Sequence, residues 1–146
     1  MLGRFSFCVS SVVVVLALVG CGQKATFGTV PITGKVVYED GSLIPAARIT
    51  VSFISQTPAQ GKEHPRPGNT AVNVADGTFK NVTTLNPSDG AVVGKHKVLV
   101  IAYDEKNPDL PGPAVDAKYA DPATTPLTAE VTSGADIVLK VEKPRK

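Results

Sequence analysis

The sequence predicts an all-β sandwich of seven short strands behind an apolar N-terminal segment. Three observations predict it. Gly (13) and Pro (12) are abundant among the 146 residues, as are Val and Thr, a balance that favours strands and turns. Short β-branched runs alternate apolar and polar residues between turn signals. No segment of the domain sustains a convincing helical period. Seven short antiparallel strands in about 115 residues suit a Greek-key sandwich.

The first strand is expected over residues 32–38, with Ile32, Val36 and Tyr38 on one face, before a Glu39-Asp40-Gly41-Ser42 turn. Residues 48–55 alternate cleanly, placing Ile49, Val51 and Phe53 inward. A polar loop with three prolines covers 56–68, and the strand 69–74 sets Thr70, Val72 and Val74 on one face. Asp76-Gly77 fits a tight hairpin turn, because Gly accepts positive φ and Asp tolerates it. Residues 78–85 return, anchored by Phe79, and 86–90 break the chain. Residues 95–103 are the strongest strand: Val98, Val100 and Ala102 line one face, Leu99, Ile101 and Tyr103 the other. Two apolar faces predict a central strand covered on both sides. A loop with five prolines spans 104–126, then 127–131 and 136–141 form a last hairpin across Ser133-Gly134, with Ile137, Leu139 and Val141 inward.

The N-terminal segment has three parts. Arg4 is its only charge, and residues 5–19 are an apolar core, shorter than the ~20 residues a membrane-spanning helix needs. Leu18-Val19-Gly20-Cys21 follows and resembles the lipobox of bacterial lipoproteins. The resemblance implies cleavage between Gly20 and Cys21 and a diacylglycerol thioether on Cys21, the only side chain there nucleophilic enough to take a lipid. Cys8 leaves with residues 1–20, so the expected mature chain holds one cysteine and no intramolecular disulfide. Residues 21–30 read as a lipidated tether, 31–142 as the sandwich and 143–146 as a solvated basic tail. Gly22 stands where enteric bacteria place a retention Asp, which leans toward the outer membrane.

Charge excludes a partner class. Of 15 Lys and Arg only Arg4 lies in residues 1–20, leaving 14 bases against 13 acids. No concentrated basic face for nucleic acid follows. Five Phe, three Tyr and no Trp argue against sugar- or base-stacking surfaces.

Several motifs carry a family resemblance. Ile32-Thr33-Gly34-Lys35-Val36, then Asp40-Gly41-Ser42-Leu43-Ile44-Pro45-Ala46-Ala47-Arg48-Ile49-Thr50-Val51, is similar to the opening of carboxypeptidase regulatory-like domains. Asp76-Gly77-Thr78-Phe79 matches their D-G-x-F hairpin and Gly94-Lys95-His96-Lys97-Val98 their G-x-Y-x-V strand. Residues 117–122 and 127–131 resemble the tail of small envelope lipoproteins with this domain. Two positions depart: Asn73-Val74 replaces Thr-Asp before the hairpin, and His96 replaces the aromatic. The resemblance implies a transthyretin-like sandwich and a mostly non-catalytic family. Its motifs are turn and core signatures, which specify fold before function.

Candidate chemistry is sparse. Intradiol dioxygenases hold iron with two His and two Tyr on a similar sandwich; the available set is His64, His96, Tyr38, Tyr103 and Tyr119. His64 lies in the proline-rich loop and His96 at a strand start, so surface and half-buried structural roles are expected. The Tyr-Arg-Gly-Ser ending of hydroxyisourate hydrolases is absent, as is a Gly-x-Ser-x-Gly frame. Asp104, Glu105, Asn107 and Asp109 could offer oxygens to Ca²⁺, but not at EF-hand spacing. Loops longer than about 12–15 residues are usually functional or disordered, so 104–126 reads either as a binding loop, with Asp104, Asp109, Leu110 and Tyr119 its candidate residues and 56–68 a second candidate surface, or as a flexible excursion. The sequence thus predicts an exported, lipid-anchored, non-catalytic envelope module with no metal and no cofactor. Its expected partners are the membrane, through Cys21, and an envelope protein or polysaccharide. A carbohydrate-binding module and a metal-dependent or transthyretin-like hydrolytic enzyme are the alternatives.

Overall fold

Strict alternation in Arg48–Ser55 sets the pattern for the whole molecule: Ile49, Val51 and Phe53 are essentially unexposed while their neighbours are not. In a computed structural model, which describes residues 26–145, such strands build an all-β fold. In chain order they are β1 (Thr29–Val30), β2 (Thr33–Tyr38), β3 (Arg48–Ser55), β4 (Gly68–Val72), β5 (Thr78–Phe79), β6 (Ala91–Val92), β7 (Gly94–Tyr103), β8 (Thr128–Val131) and β9 (Asp136–Val141). One 3-10 turn, Ala117–Ala120, interrupts the segment between β7 and β8.

Seven strands form one mixed sheet in the order β8-β7-β3-β4-β5-β2-β9, curled nearly into a barrel. β4 and β5 share only the Val72–Phe79 pair. The sheet folds over at that joint, and its two sides close on a common core. Phe53 of β3 meets Phe79 of β5 there with ring centroids 5.8 Å apart. Val36, Leu139 and Val141 face Val51, Val98 and Val100 across the same cluster. Burying such side chains contributes about 1.5–3 kcal/mol each. Gly34 is required beneath Phe79: a Cβ there would lie 2.5 Å from the ring and 2.0 Å from the Ile137 carbonyl.

The seven expected strands are all present, with five differences. Residues 128–131 and 136–141 are not a hairpin: β8 pairs with β7, while β9 runs parallel to β2. Val131 of β8 and Leu139 and Val141 of β9 enter the core from opposite ends of the sheet, so consecutive strands part at Ser133-Gly134. The Asp76-Gly77 turn is wider than a two-residue hairpin, because Gly77 N–H donates to the Asn73 carbonyl at 2.7 Å. Val74 therefore lies in the loop, exposed. β5 is short because Asn81 adopts φ 57°, a left-handed conformation that Asn tolerates and that bends the chain out of the ladder. β7 is next to the sheet edge rather than central: beyond β8 its edge is bonded by chain 104–126, and the outward Leu99, Ile101 and Tyr103 stay half-buried.

The fifth difference is at the N-terminus. The end of the expected tether, Thr29 and Val30, is not free chain: it pairs with Val92 and Ala91 of β6. Gly90 allows this, with φ 92° and room for no side chain against Val30. The C-terminal tail is likewise engaged. Lys143 forms an ion pair with Asp40 and lies over the Tyr38 ring. That ammonium, then the Ser42 hydroxyl and amide, hold the Asp40 carboxyl well below the usual carboxylate range.

β1 and the start of β7 lie at the same end of the sandwich, since Val93 N–H donates to Gly28. The ten residues of β7 extend about 30 Å at roughly 3.3 Å each. Segment 104–126 thus departs from the end opposite to β1.

Candidate functional site

The 104–126 segment is an ordered arm, fixed to the sandwich along its length. At its root, Gly112 N–H donates to Ala102 at 2.8 Å and Asp104 N–H to Leu110 at 3.0 Å, which closes 104–110 into a tip. The Tyr38 hydroxyl donates to the Ala114 carbonyl at 2.7 Å, and burial pushes that phenol upward from its ordinary pKa, against the lowering influence of Lys143. Val115 is buried. Asp116 caps the 3-10 turn by accepting Lys118 N–H at 2.9 Å, the capping chemistry of short acceptor side chains. Tyr119 is 2% exposed and its hydroxyl accepts Glu142 N–H at 3.0 Å. Further on, the Thr125 hydroxyl donates to Val98 and the Lys97 ammonium to Pro122. Few of these bonds belong to a ladder, so the arm's order comes from side chains gripping backbone.

Between the arm and the open edge of β7 lies a hollow of about 710 Å³. Ile101, Pro111, Pro113, Ala120 and Pro144 line it, and Asp116 is its one charged lining residue. Prolines hold its walls with little conformational freedom. The Asp116 carboxylate is already engaged as a cap, so the hollow offers shape and apolar contact rather than a nucleophile or a proton-transfer pair.

A larger and more polar hollow of about 850 Å³ lies where β4, β5 and the β2–β9 edge converge. Its side chains mostly satisfy one another. Thr70 donates to the Lys80 carbonyl, Thr33 to Asp136, and Asn73 to Asp76. The Thr78 hydroxyl and amide hold the Asp76 carboxyl below its ordinary range. This is a turn's chemistry, as expected for Asp76.

The structure divides the expected site residues. Asp104, Asp109 and Leu110 share the arm tip, and Leu110 is 56% exposed. The Asp104 carboxylate accepts Lys106 N–H and stabilises the turn. Tyr119 is elsewhere, buried as the arm's fastener, and is not available to a ligand. Gly20 and Cys21 lie outside the described residues. His64 is exposed in the 56–67 loop. His96 is buried rather than half-buried, edge-on to Phe53 at 6.1 Å. Its Nδ1 contacts the Gly94 carbonyl at 2.9 Å and its Nε2 has no partner among the described residues. Burial lowers its pKa, with the Gly94 contact and Glu130 opposing. The neutral ring donates from Nδ1, which leaves Nε2 a buried acceptor without a donor.

Among the described residues no group of three or more His, Cys, Asp or Glu side chains converges to hold a metal. Nor is any Phe or Tyr ring there openly exposed: Phe27 and Tyr103 are half-buried, the others buried. Arg48 stacks on Tyr103 at 4.0 Å. The hollow's lining was missed at the sequence level; of the outward β7 residues only Ile101 belongs to it. The arm runs along the open edge of β7, where Gly112 and Thr125 bond Ala102 and Val98, and sends Val115 and Tyr119 into the core. No family model matches this chain, no curated protein matches it, and no solved structure matches it.

Proposed function

We propose that this chain is a lipid-anchored, non-catalytic module of the bacterial cell envelope that presents the 104–126 arm and its apolar hollow to another envelope component. The observation that carries the reading is the arm. A segment of this length without strands is ordered by side-chain contacts at both its middle and its end, and long irregular segments kept in order usually serve binding. The anchoring half of the reading rests on Leu18-Val19-Gly20-Cys21. Seven residues separate Cys21 from Thr29, a reach of at most about 25 Å. The domain is therefore held close to the bilayer at its β1 end, and the arm tip occupies the other end. The resemblance to carboxypeptidase regulatory-like domains, carried by the turn and core motifs, agrees with a binding role. Two or three acyl chains at about 0.8 kcal/mol per buried CH₂ make such an anchor effectively permanent.

Fractionation of cells expressing the full chain tests the reading. The parent chain is expected in membranes and the Cys21→Ser variant in the soluble fraction or unprocessed. Photo-cross-linkers placed at Leu110 and Pro113 are expected to capture an envelope component that one placed at Lys62, in the loop at the β1 end, does not. Membrane retention of Cys21→Ser after normal cleavage, or equal capture from both ends, contradicts it.

A further inference from the structure

We propose that the free edge of β9 is a docking strand for a second copy of this chain, in antiparallel register centred on Val138. β9 is the last strand of the sheet and pairs only with β2. Thr33 N–H donates to the Ala135 carbonyl and Glu39 N–H to the Val141 carbonyl. In a parallel ladder this places the backbone groups of 135, 137, 139 and 141 toward β2. Those of Asp136, Val138 and Lys140 point away from the sheet, and no hydrogen bond from a described residue reaches them. All three side chains are exposed, Val138 by 58%.

The edge is self-complementary. Two copies related by a two-fold axis at Val138 set Val138 against its counterpart and Asp136 against Lys140 at both ends. Each facing pair then exchanges both of its backbone hydrogen bonds, and the opposite charges and apolar pair sit at cross-strand contact distance. A shift of the register breaks the charge match, so the pattern selects one alignment. An isologous pairing of this kind closes at two copies and leaves no further β9 edge to extend. In it the β1 end of each copy lies beside the arm end of the other. Both tethers reach one bilayer when the strands lie along its plane. The competing role for Asp136 and Lys140 is protective, since charges on edge strands commonly prevent association.

The decisive measurement is sedimentation velocity of the full chain in detergent over a wide concentration range, with charge variants. The parent chain is expected to form a two-copy species. Lys140→Asp and Asp136→Lys are each expected to raise its dissociation constant about tenfold, because like charges then face each other. The double variant Asp136→Lys/Lys140→Asp is expected to restore it. Val138→Cys is expected to cross-link two copies under oxidation, the facing Cα distance of about 5.5 Å falling within the disulfide range. Single copies of the parent chain at every concentration, or a pair indifferent to the single swaps, would overturn the proposal. So would failure of the double swap to restore pairing while its thermal unfolding matches the parent's. If either single variant does not fold, the parent's mass and the Val138→Cys cross-link decide.

Discussion

Tyr119 and Glu142 are joined by a hydrogen bond from the Glu142 backbone N–H to the Tyr119 hydroxyl, 3.0 Å long. It fastens the arm to the chain just beyond the end of β9. The Lys118–Glu142 ion pair beside it is exposed and contributes little by comparison.

Tyr119→Phe removes the acceptor and leaves the ring in place. The expected cost is about 1 kcal/mol, read as a lower denaturation midpoint with an unchanged slope. Amide exchange across 104–126 should accelerate while β3 remains protected. If the arm's exchange is unaltered, the hydroxyl is not its fastener.

His96 predicts a loss of stability on mild acidification. Its folded-state pKa lies below the ordinary value, so between the two pKa values the unfolded chain binds more protons than the folded one. The stability it contributes is full above about pH 6.5 and declines as pH falls below it. His96→Phe removes the titration and the unpartnered Nε2, and preserves an aromatic against Phe53. The variant should be at least as stable as the parent at pH 7 and show a flatter profile between pH 7 and 5. Parallel profiles in urea denaturation contradict this.

Gly34→Ala forces a methyl into the Ile137 carbonyl and the Phe79 ring. The expected cost is about 3 kcal/mol, the upper end for overpacking. The exposed neighbour substitution Lys35→Ala should stay within about 0.5 kcal/mol of the parent. Comparable midpoints for the two variants would show that β2 and β9 part easily.

Gly90→Ala addresses the pinned N-terminus. Both its positive φ and the adjacent Val30 carbonyl oppose a side chain. β1 should detach from β6, with rapid amide exchange at Val30 and Val93 and a retained core. Continued protection of those amides contradicts the pinning.

Much of this architecture was legible in the residues because alternation is a local signal. Ile49, Val51 and Phe53 announce β3 with no knowledge of what they pack against, and Asp40 and Asp76 announce their turns. Partner choice is not local. Nothing in 127–141 distinguishes a hairpin from two strands that leave for opposite edges of the sheet, and a two-residue strand such as β1 carries no periodicity. The site was half legible for the same reason. The length and prolines of 104–126 marked it as a candidate binding loop, and Leu110 at its tip is exposed. Tyr119 was grouped with the tip because both lie in one segment. Only three-dimensional packing separates a fastener from a contact residue. The hollow beneath the arm is composed of residues from β7, the arm and Pro144, far apart in the chain.

The anchoring claim underlies the placement of every surface described above, and intact mass analysis of the chain isolated from membranes tests it most directly. The expected N-terminal residue is Cys21 carrying diacylglycerol, with or without a further acyl group. A membrane-associated chain that retains residues 1–20, or that begins at Cys21 with a free thiol, contradicts it.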